Sequence, residues 1–123
     1  MERVSNINSY RDLEIWQRSK TFAVSLYKAT QNFPNSEIYS LTNQMRRSDV
    51  SIPSNIAEGF RRKSKLEKLQ FLRIAYGSGA ELETQLEISY DLQYLKQEIY
   101  EVLSKELNEI MRMLNKTIGV LGK

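Results

Sequence analysis

Ile38, Leu41, Met45, Ser48, Ile52, Asn55 and Gly59 recur at alternating steps of three and four residues. An α-helix brings side chains at that spacing back to one face, whereas a strand alternates at every second residue. This stretch must therefore be helical. Its seam is small and polar in the second half, where Ser48, Ser51 and Ser54 leave room for a neighbouring helix to come close. Three other stretches obey the same rule, and none alternates as a strand would.

The first helix is expected from about Asp12 to Asn32, with Asp12 as its cap or as a first-turn charge. Leu13, Trp16, Ala23, Tyr27 and Thr30 form one stripe, and Ile15, Phe22, Leu26, Ala29 and Phe33 a second beside it. Together they make a wider apolar face than one helix contact needs. Pro34 ends this helix by disfavouring helical geometry at Phe33, and Ser36 is placed to cap the second, which begins near Glu37. Ser64 and Glu67 have the spacing of a capping box for a third helix reaching about Tyr94, with Leu72, Ala75, Gly79, Leu82, Leu86 and Ser89 along its seam. After a short turn at Leu95-Lys96, a fourth helix carries Ile99, Leu103, Leu107, Ile110, Leu114, Ile118 and Leu121 on one face.

Pro53 lies inside the second pattern. Either one helix kinks there, or one stops near Val50 and another restarts at Pro53; the kinked helix is the expected form. Gly77 and Gly79 each cost a helix about 1 kcal/mol relative to Ala. That cost fits close packing, with the Ser/Gly-rich half of the second helix as the expected partner. Short turns between long helices favour antiparallel neighbours. The expected fold is all-α, an up-down-up-down antiparallel four-helix bundle over residues 11–123, with residues 1–10 as a loose arm.

Histidine and cysteine are both absent from the chain. Disulfides, thiolate metal sites, cysteine nucleophiles and histidine bases are therefore excluded, and no cofactor or catalytic residue is expected. The first residues lack the apolar core of a signal peptide. No run approaches the ~18 apolar residues of a membrane span. A cytoplasmic protein without membrane contact is the expectation.

Residues 44–59, Gln-Met-Arg-Arg-Ser-Asp-Val-Ser-Ile-Pro-Ser-Asn-Ile-Ala-Glu-Gly, resemble the signature of the bacterial 23S rRNA intervening-sequence protein family. The similarity extends to Tyr10–Gln17, to Phe33-Pro34 with Glu37 and Leu41, and to Ile74–Ser78 followed by Glu81–Leu86, so that it spans roughly residues 9–118. The resemblance implies a left-handed four-helix bundle, a ring-like homopentamer and no established enzymatic activity. A more distant similarity is to the accessory protein of diversity-generating retroelements, which implies basic surfaces that engage nucleic acid and a reverse transcriptase as a protein partner. The chain departs from the family pattern at Ser48-Asp49, Tyr76 and Gly79, which bears on local packing and one basic contact.

The net charge of +3 is mild. It is unevenly spread: residues 46–73 hold eight basic and three acidic residues, and residues 74–123 hold five basic and eight acidic. Arg61, Arg62, Lys63 and Lys65 crowd the turn between the second and third helices, with Lys68 just beyond and Arg46 and Arg47 earlier in the second helix. Two readings compete there. One is a phosphate-binding patch with steep salt dependence; the other is an ordinary solvated turn. Phe60 and Phe71 are expected to pack rather than stack on bases, so contact would be with the RNA or DNA backbone. Arg46 and Arg47 either bind phosphate or, as expected, pair with Glu81 and Glu83 across helices.

Pro53, Asn55, Glu58, Gly59 and Gly77 are expected to serve structure or subunit contact. Glu58 stands four residues before Arg62, a favourable ion-pair spacing. Asn55 can serve a carbonyl freed at Pro53 or fix helix register. A third reading makes Glu58, with Glu83 and Glu87, an acid or metal site, and the missing histidine and cysteine weigh against it. Gly77-Ser78-Gly79 lacks the Lys and the preceding strand of a phosphate loop. Tyr90, Tyr94 and Tyr100 either form a wet contact surface or cap the core. The expected function is a non-enzymatic oligomeric scaffold binding RNA or DNA backbone; the alternative is a protein–protein assembly module without nucleic-acid binding.

Overall fold

The computed structural model describes residues 8–123. It contains four helices, α1 (Glu14–Thr30), α2 (Leu41–Arg61), α3 (Lys65–Asp91) and α4 (Gln97–Leu121), with short 3-10 turns at Tyr10–Asp12 and Asn35–Glu37 and no strand among the described residues. Each helix packs on the next in sequence, and α1 also packs on α4. Most of the expected arm, residues 1–10, lies outside the described residues. Of its end, Ser9 and Tyr10 belong to the first 3-10 turn.

Asp12 serves that turn rather than α1. Its carboxylate accepts from the backbone N–H of Asn8 and Ser9, at 3.1 and 3.2 Å, and Leu13 precedes α1 with no side-chain cap. Ser36 likewise does not cap α2, because it lies within the second 3-10 turn. Glu37 takes that role, accepting from the Ser40 hydroxyl at 3.1 Å and the Leu41 N–H at 3.4 Å. The second helix therefore starts at Leu41, and Ile38 is left exposed outside it.

α2 runs without interruption through Pro53. The proline removes only the N–H that would serve the Asp49 carbonyl, and its ring is buried. Met45, Ile52 and Ile56 on this helix join Phe22 and Leu26 of α1, Leu82 and Leu86 of α3, and Leu107, Ile110 and Leu114 of α4 in one continuous core.

Close helix approach occurs where the seams are small. Ser51 and Ser78 hydroxyls lie 2.8 Å apart between α2 and α3. A Cβ at Gly59 would stand 3.2 Å from the Phe71 Cβ and 3.3 Å from the Lys68 carbonyl. The two α3 glycines do not face α2 as expected. The space a Gly79 side chain would take is filled by Met111 of α4, whose sulfur would overlap an added Cβ, and Gly77 opens outward with nothing within 4 Å. Ser78, between them, is the residue that meets α2. Ser54, expected to leave room for a neighbouring helix, is exposed.

α3 stops at Asp91 rather than near Tyr94. Gln93 adopts φ 64°, in the left-handed region. The Tyr94 N–H bonds the Ser89 carbonyl and the Gln93 N–H the Tyr90 carbonyl, both at 2.9 Å. This is a Schellman motif, built here on Gln where Gly is usual.

Candidate nucleic-acid interface

The α2–α3 turn is held by its own cations. Ser64 caps α3 by accepting from the Glu67 N–H at 3.0 Å, while the Glu67 carboxylate accepts from the Ser64 hydroxyl at 3.1 Å. Glu67 thus returns to the serine side chain. The Arg62 guanidinium pairs with Glu58 at 3.0 Å and Glu67 at 3.9 Å, and lies over the Phe71 ring at 4.8 Å. Lys68 donates to the Phe60 carbonyl at 2.9 Å, placing a positive charge where the α2 dipole ends negative. Phe60 and Phe71 are half-buried hosts for these side chains.

The remaining cations of the turn point outward. Arg61 lies over the Tyr10 ring at 5.3 Å, and Arg11 over the same ring at 4.8 Å. Lys65 reaches the Lys123 carbonyl, and Lys63 makes no hydrogen bond or ion pair among the described residues. Arg61, Lys63 and Lys65 therefore share one end of the molecule with Arg11. The sequence singled out the first three. Arg11 was missed because only folding brings Tyr10 beneath Arg61; the adjacent Tyr10-Arg11 pair was the available signal.

Arg46 and Arg47 do not join this cluster. Fifteen residues separate Arg46 from Arg61 on one helix, about 22 Å along its axis. Arg46 does not pair with Glu81 or Glu83. It donates to the Thr30 hydroxyl at 3.1 Å and the Tyr27 carbonyl at 3.2 Å, and lies 4.6 Å from the Tyr27 ring centroid. It thereby serves the last turn of α1. Arg47 is exposed without a partner among the described residues.

The other singled-out residues do structural work. Asn55 donates to the Ser51 carbonyl at 2.8 Å and the Ser51 hydroxyl at 2.9 Å, extending the Ser51–Ser78 link rather than serving the Asp49 carbonyl. Among the described residues no group of three or more acidic side chains is placed to hold a metal ion. Burial and the Glu87 charge raise the Glu83 carboxyl above its ordinary value. Tyr90 stacks on Tyr100 at 4.5 Å, and Tyr94 packs on Phe33 at 5.3 Å. The Tyr94 hydroxyl donates to Glu37 at 2.9 Å, the main cause holding that carboxyl below its ordinary range. The three tyrosines, all half-buried, thus cover the end of the core.

Asp49, already marked with Ser48 as a departure from the family pattern, is the residue whose burial the periodicity did not indicate. Its side chain is fully buried, and neither carboxylate oxygen has a hydrogen-bond partner. Burial pushes its pKa up to about 7. Helical periodicity places it one step from the seam, where a charged residue ordinarily faces solvent.

Four helices around one core, with outward cations at a single turn, define a small all-helical protein whose distinctive chemistry is electrostatic. The chain belongs to the 23S rRNA-intervening sequence protein family, whose model matches residues 11–116. Among solved structures it is similar to a protein of unknown function from the S23 ribosomal protein family of Bacteroides thetaiotaomicron, at 26% identity and a TM-score of 0.79, over 85% of this chain and 95% of that one. Among curated proteins, none matches the sequence. No helix among the described residues is long and apolar enough to cross a membrane.

Proposed function

We propose that this protein is a non-enzymatic, oligomeric scaffold of the cytoplasm that binds RNA or DNA backbone through the α2–α3 end. The reading is carried by Arg61 and Lys63, which, with Arg11, present charge with no carboxylate partner among the described residues, and by Lys65 beside them, which donates to the Lys123 main-chain oxygen. Arg62 and Lys68 hold the turn in shape beneath them. Such a cluster suits phosphate without base reading, because its aromatic rings are already covered by the protein's own cations.

The scaffold itself is proposed as an antiparallel up-down-up-down, left-handed bundle assembling into a homopentamer. Arg46 against the last turn of α1 and Arg61 against Tyr10, just ahead of α1, support the antiparallel order. A ring would repeat the cationic end around one face and raise its avidity for a continuous backbone. A protein partner that itself handles nucleic acid, such as a reverse transcriptase, would then meet its substrate on this face.

Binding of single-stranded RNA, single-stranded DNA and duplex DNA, measured against salt, tests this function. About four phosphate contacts per site give a log–log slope near −3 to −4. Reversing Arg61, Lys63 and Lys65 to Glu removes the binding, whereas Arg47→Ala leaves it unchanged. Equal and negligible binding by wild type and the triple reversal would leave the assembly module as the surviving function.

A further inference from the structure

A continuous row of cations and aromatic rings runs along the α1–α2 side of the molecule. Arg61 lies over Tyr10, and the Tyr10 ring meets Trp16 edge-on at 5.1 Å. Lys20 lies over Trp16 at 5.4 Å. From Lys20 onward a groove opens between the two helices, lined by Val24, Tyr27, Val50 and Pro53, with Lys20 and Lys28 at its edges. Arg46 lies over Tyr27 and ends the row. On α2 the residues Arg46, Val50, Pro53, Ala57 and Arg61 follow steps of four, three, four and four, so they share one face. That face carries a cation at each end and small or apolar residues between.

Three properties of the row select its ligand. Its charge has one sign and is spread over about 22 Å of helix axis between Arg46 and Arg61, which matches a polymer charged at every unit. No acidic side chain lines the groove among the described residues, and Asp12, beside Arg11, is engaged by the Asn8 and Ser9 N–H groups. Apolar surface lies within the same groove, where Val24 and Val50 are 50% and 43% exposed. Packed helix axes stand only about 8–10 Å apart. A duplex is too wide to enter between them and keeps its base faces stacked inside. A single strand fits the width and offers both phosphate charge and open base faces.

We infer that the α1–α2 groove continues the α2–α3 cationic end into a track for single-stranded RNA or DNA. Lys20, Lys28 and Arg46 contact phosphates along it, while Val24 and Val50 meet sugar and base faces without reading sequence. The rings of Trp16 and Tyr27 hold Lys20 and Arg46 along the row. This inference rests on the nucleic-acid reading above and assigns both the class of strand and the path it takes.

Binding of oligothymidine and of a DNA duplex of equal length, each measured against salt, tests it, with helix content and mass in solution followed alongside. Wild type is expected to prefer the single strand. Lys20→Gln with Lys28→Gln is expected to reduce the single-strand log–log salt slope by about 1.4, at about 0.7 per phosphate contact, and to leave the duplex slope unchanged. Val24→Ser with Val50→Ser is expected to weaken single-strand binding several-fold with the slope unchanged. A wild type that binds neither ligand would overturn both the nucleic-acid reading and the track. Equal binding of strand and duplex, or binding indifferent to the lysine pair, would overturn the track alone. Poly-glutamate bound as tightly as the strand, with the same loss on the lysine substitutions, would assign the groove to an acidic protein and overturn the track. A change of mass in the lysine variant would assign the groove to contact between copies and overturn it too.

Discussion

Replacing Asp49 by Asn removes a charge that the fold cannot accommodate. The Asp49 carboxyl has an ordinary pKa of 3.8, raised to about 7 by burial. A tenfold change in proton affinity is worth about 1.4 kcal/mol, so protonation of this residue is linked to folding by about 4 kcal/mol. The folded protein keeps the Asp49 proton up to about pH 7, whereas the unfolded chain releases it near 3.8. Between those values the folded state binds more protons, and wild-type stability falls as pH rises. The contribution is fully present below the lower value and is gone above the upper one.

Glu37 and Glu109 work in the opposite sense and outside this window, whereas Glu83, also raised above its ordinary value by burial and by Glu87, works in the same sense as Asp49. Glu37 and Glu109 are held below their ordinary 4.5, by the Tyr94 hydroxyl and the Arg18 guanidinium respectively. Their stabilisation is present above that value and is lost as pH falls below it. Urea unfolding of wild type and Asp49→Asn from pH 5 to pH 8.5 isolates Asp49, because the Glu83 contribution is common to both proteins. Wild type is expected to lose up to a few kcal/mol across that range. Asp49→Asn, which cannot ionise, is expected to show a shallower profile that keeps only the Glu83 contribution, and to exceed wild type at pH 8. Parallel slopes for the two proteins would refute buried ionisation at this position.

Three smaller perturbations have definite signs. Gly79→Ala is expected to destabilise wild type by about 1 kcal/mol by crowding Met111, yet to stabilise a Met111→Ala background by a similar amount through helix propensity; thermal melts of the four proteins of the cycle check the inversion. Gln93→Gly is expected to stabilise by about 1 kcal/mol, because glycine adopts the left-handed conformation there without a Cβ penalty, read from the urea midpoint. Arg18 pairs with Glu106 at 2.9 Å and also with Glu109. Arg18→Ala is expected to cost about 1 kcal/mol or less, with an effect that shrinks in high salt, measured by unfolding at two ionic strengths.

Periodicity determined the helices and most of the core, because burial of a helical face leaves its 3.6-residue signature in the order of side chains. Met45, Ile52, Leu82, Leu86, Leu107 and Leu114 were all legible that way and are all buried. Caps were less legible: Asp12, Ser36 and Glu37 are each capable of capping, and only the chain path ahead of α1, for the first, and between α1 and α2, for the other two, decides what each one serves. The candidate site was legible as a cluster of cations. Of its division, the Glu58–Arg62 pair was legible in the i, i+4 spacing, whereas Lys68 against the Phe60 carbonyl and Arg61 over the Tyr10 ring were not. Local spacing records a pair within one helix, but contacts across the turn and between elements depend on which segments meet.

Tertiary contact alone decided three further matters. It sent Arg46 to the end of α1, brought Arg11 beside Arg61 across Tyr10, and buried Asp49 away from solvent and from any hydrogen-bond partner among the described residues. The absence of histidine and cysteine was complete information in the sequence, since chemistry without its atoms cannot be restored by folding. The environment of each remaining charged group was not, because desolvation and pairing are properties of the space between helices and not of any one of them.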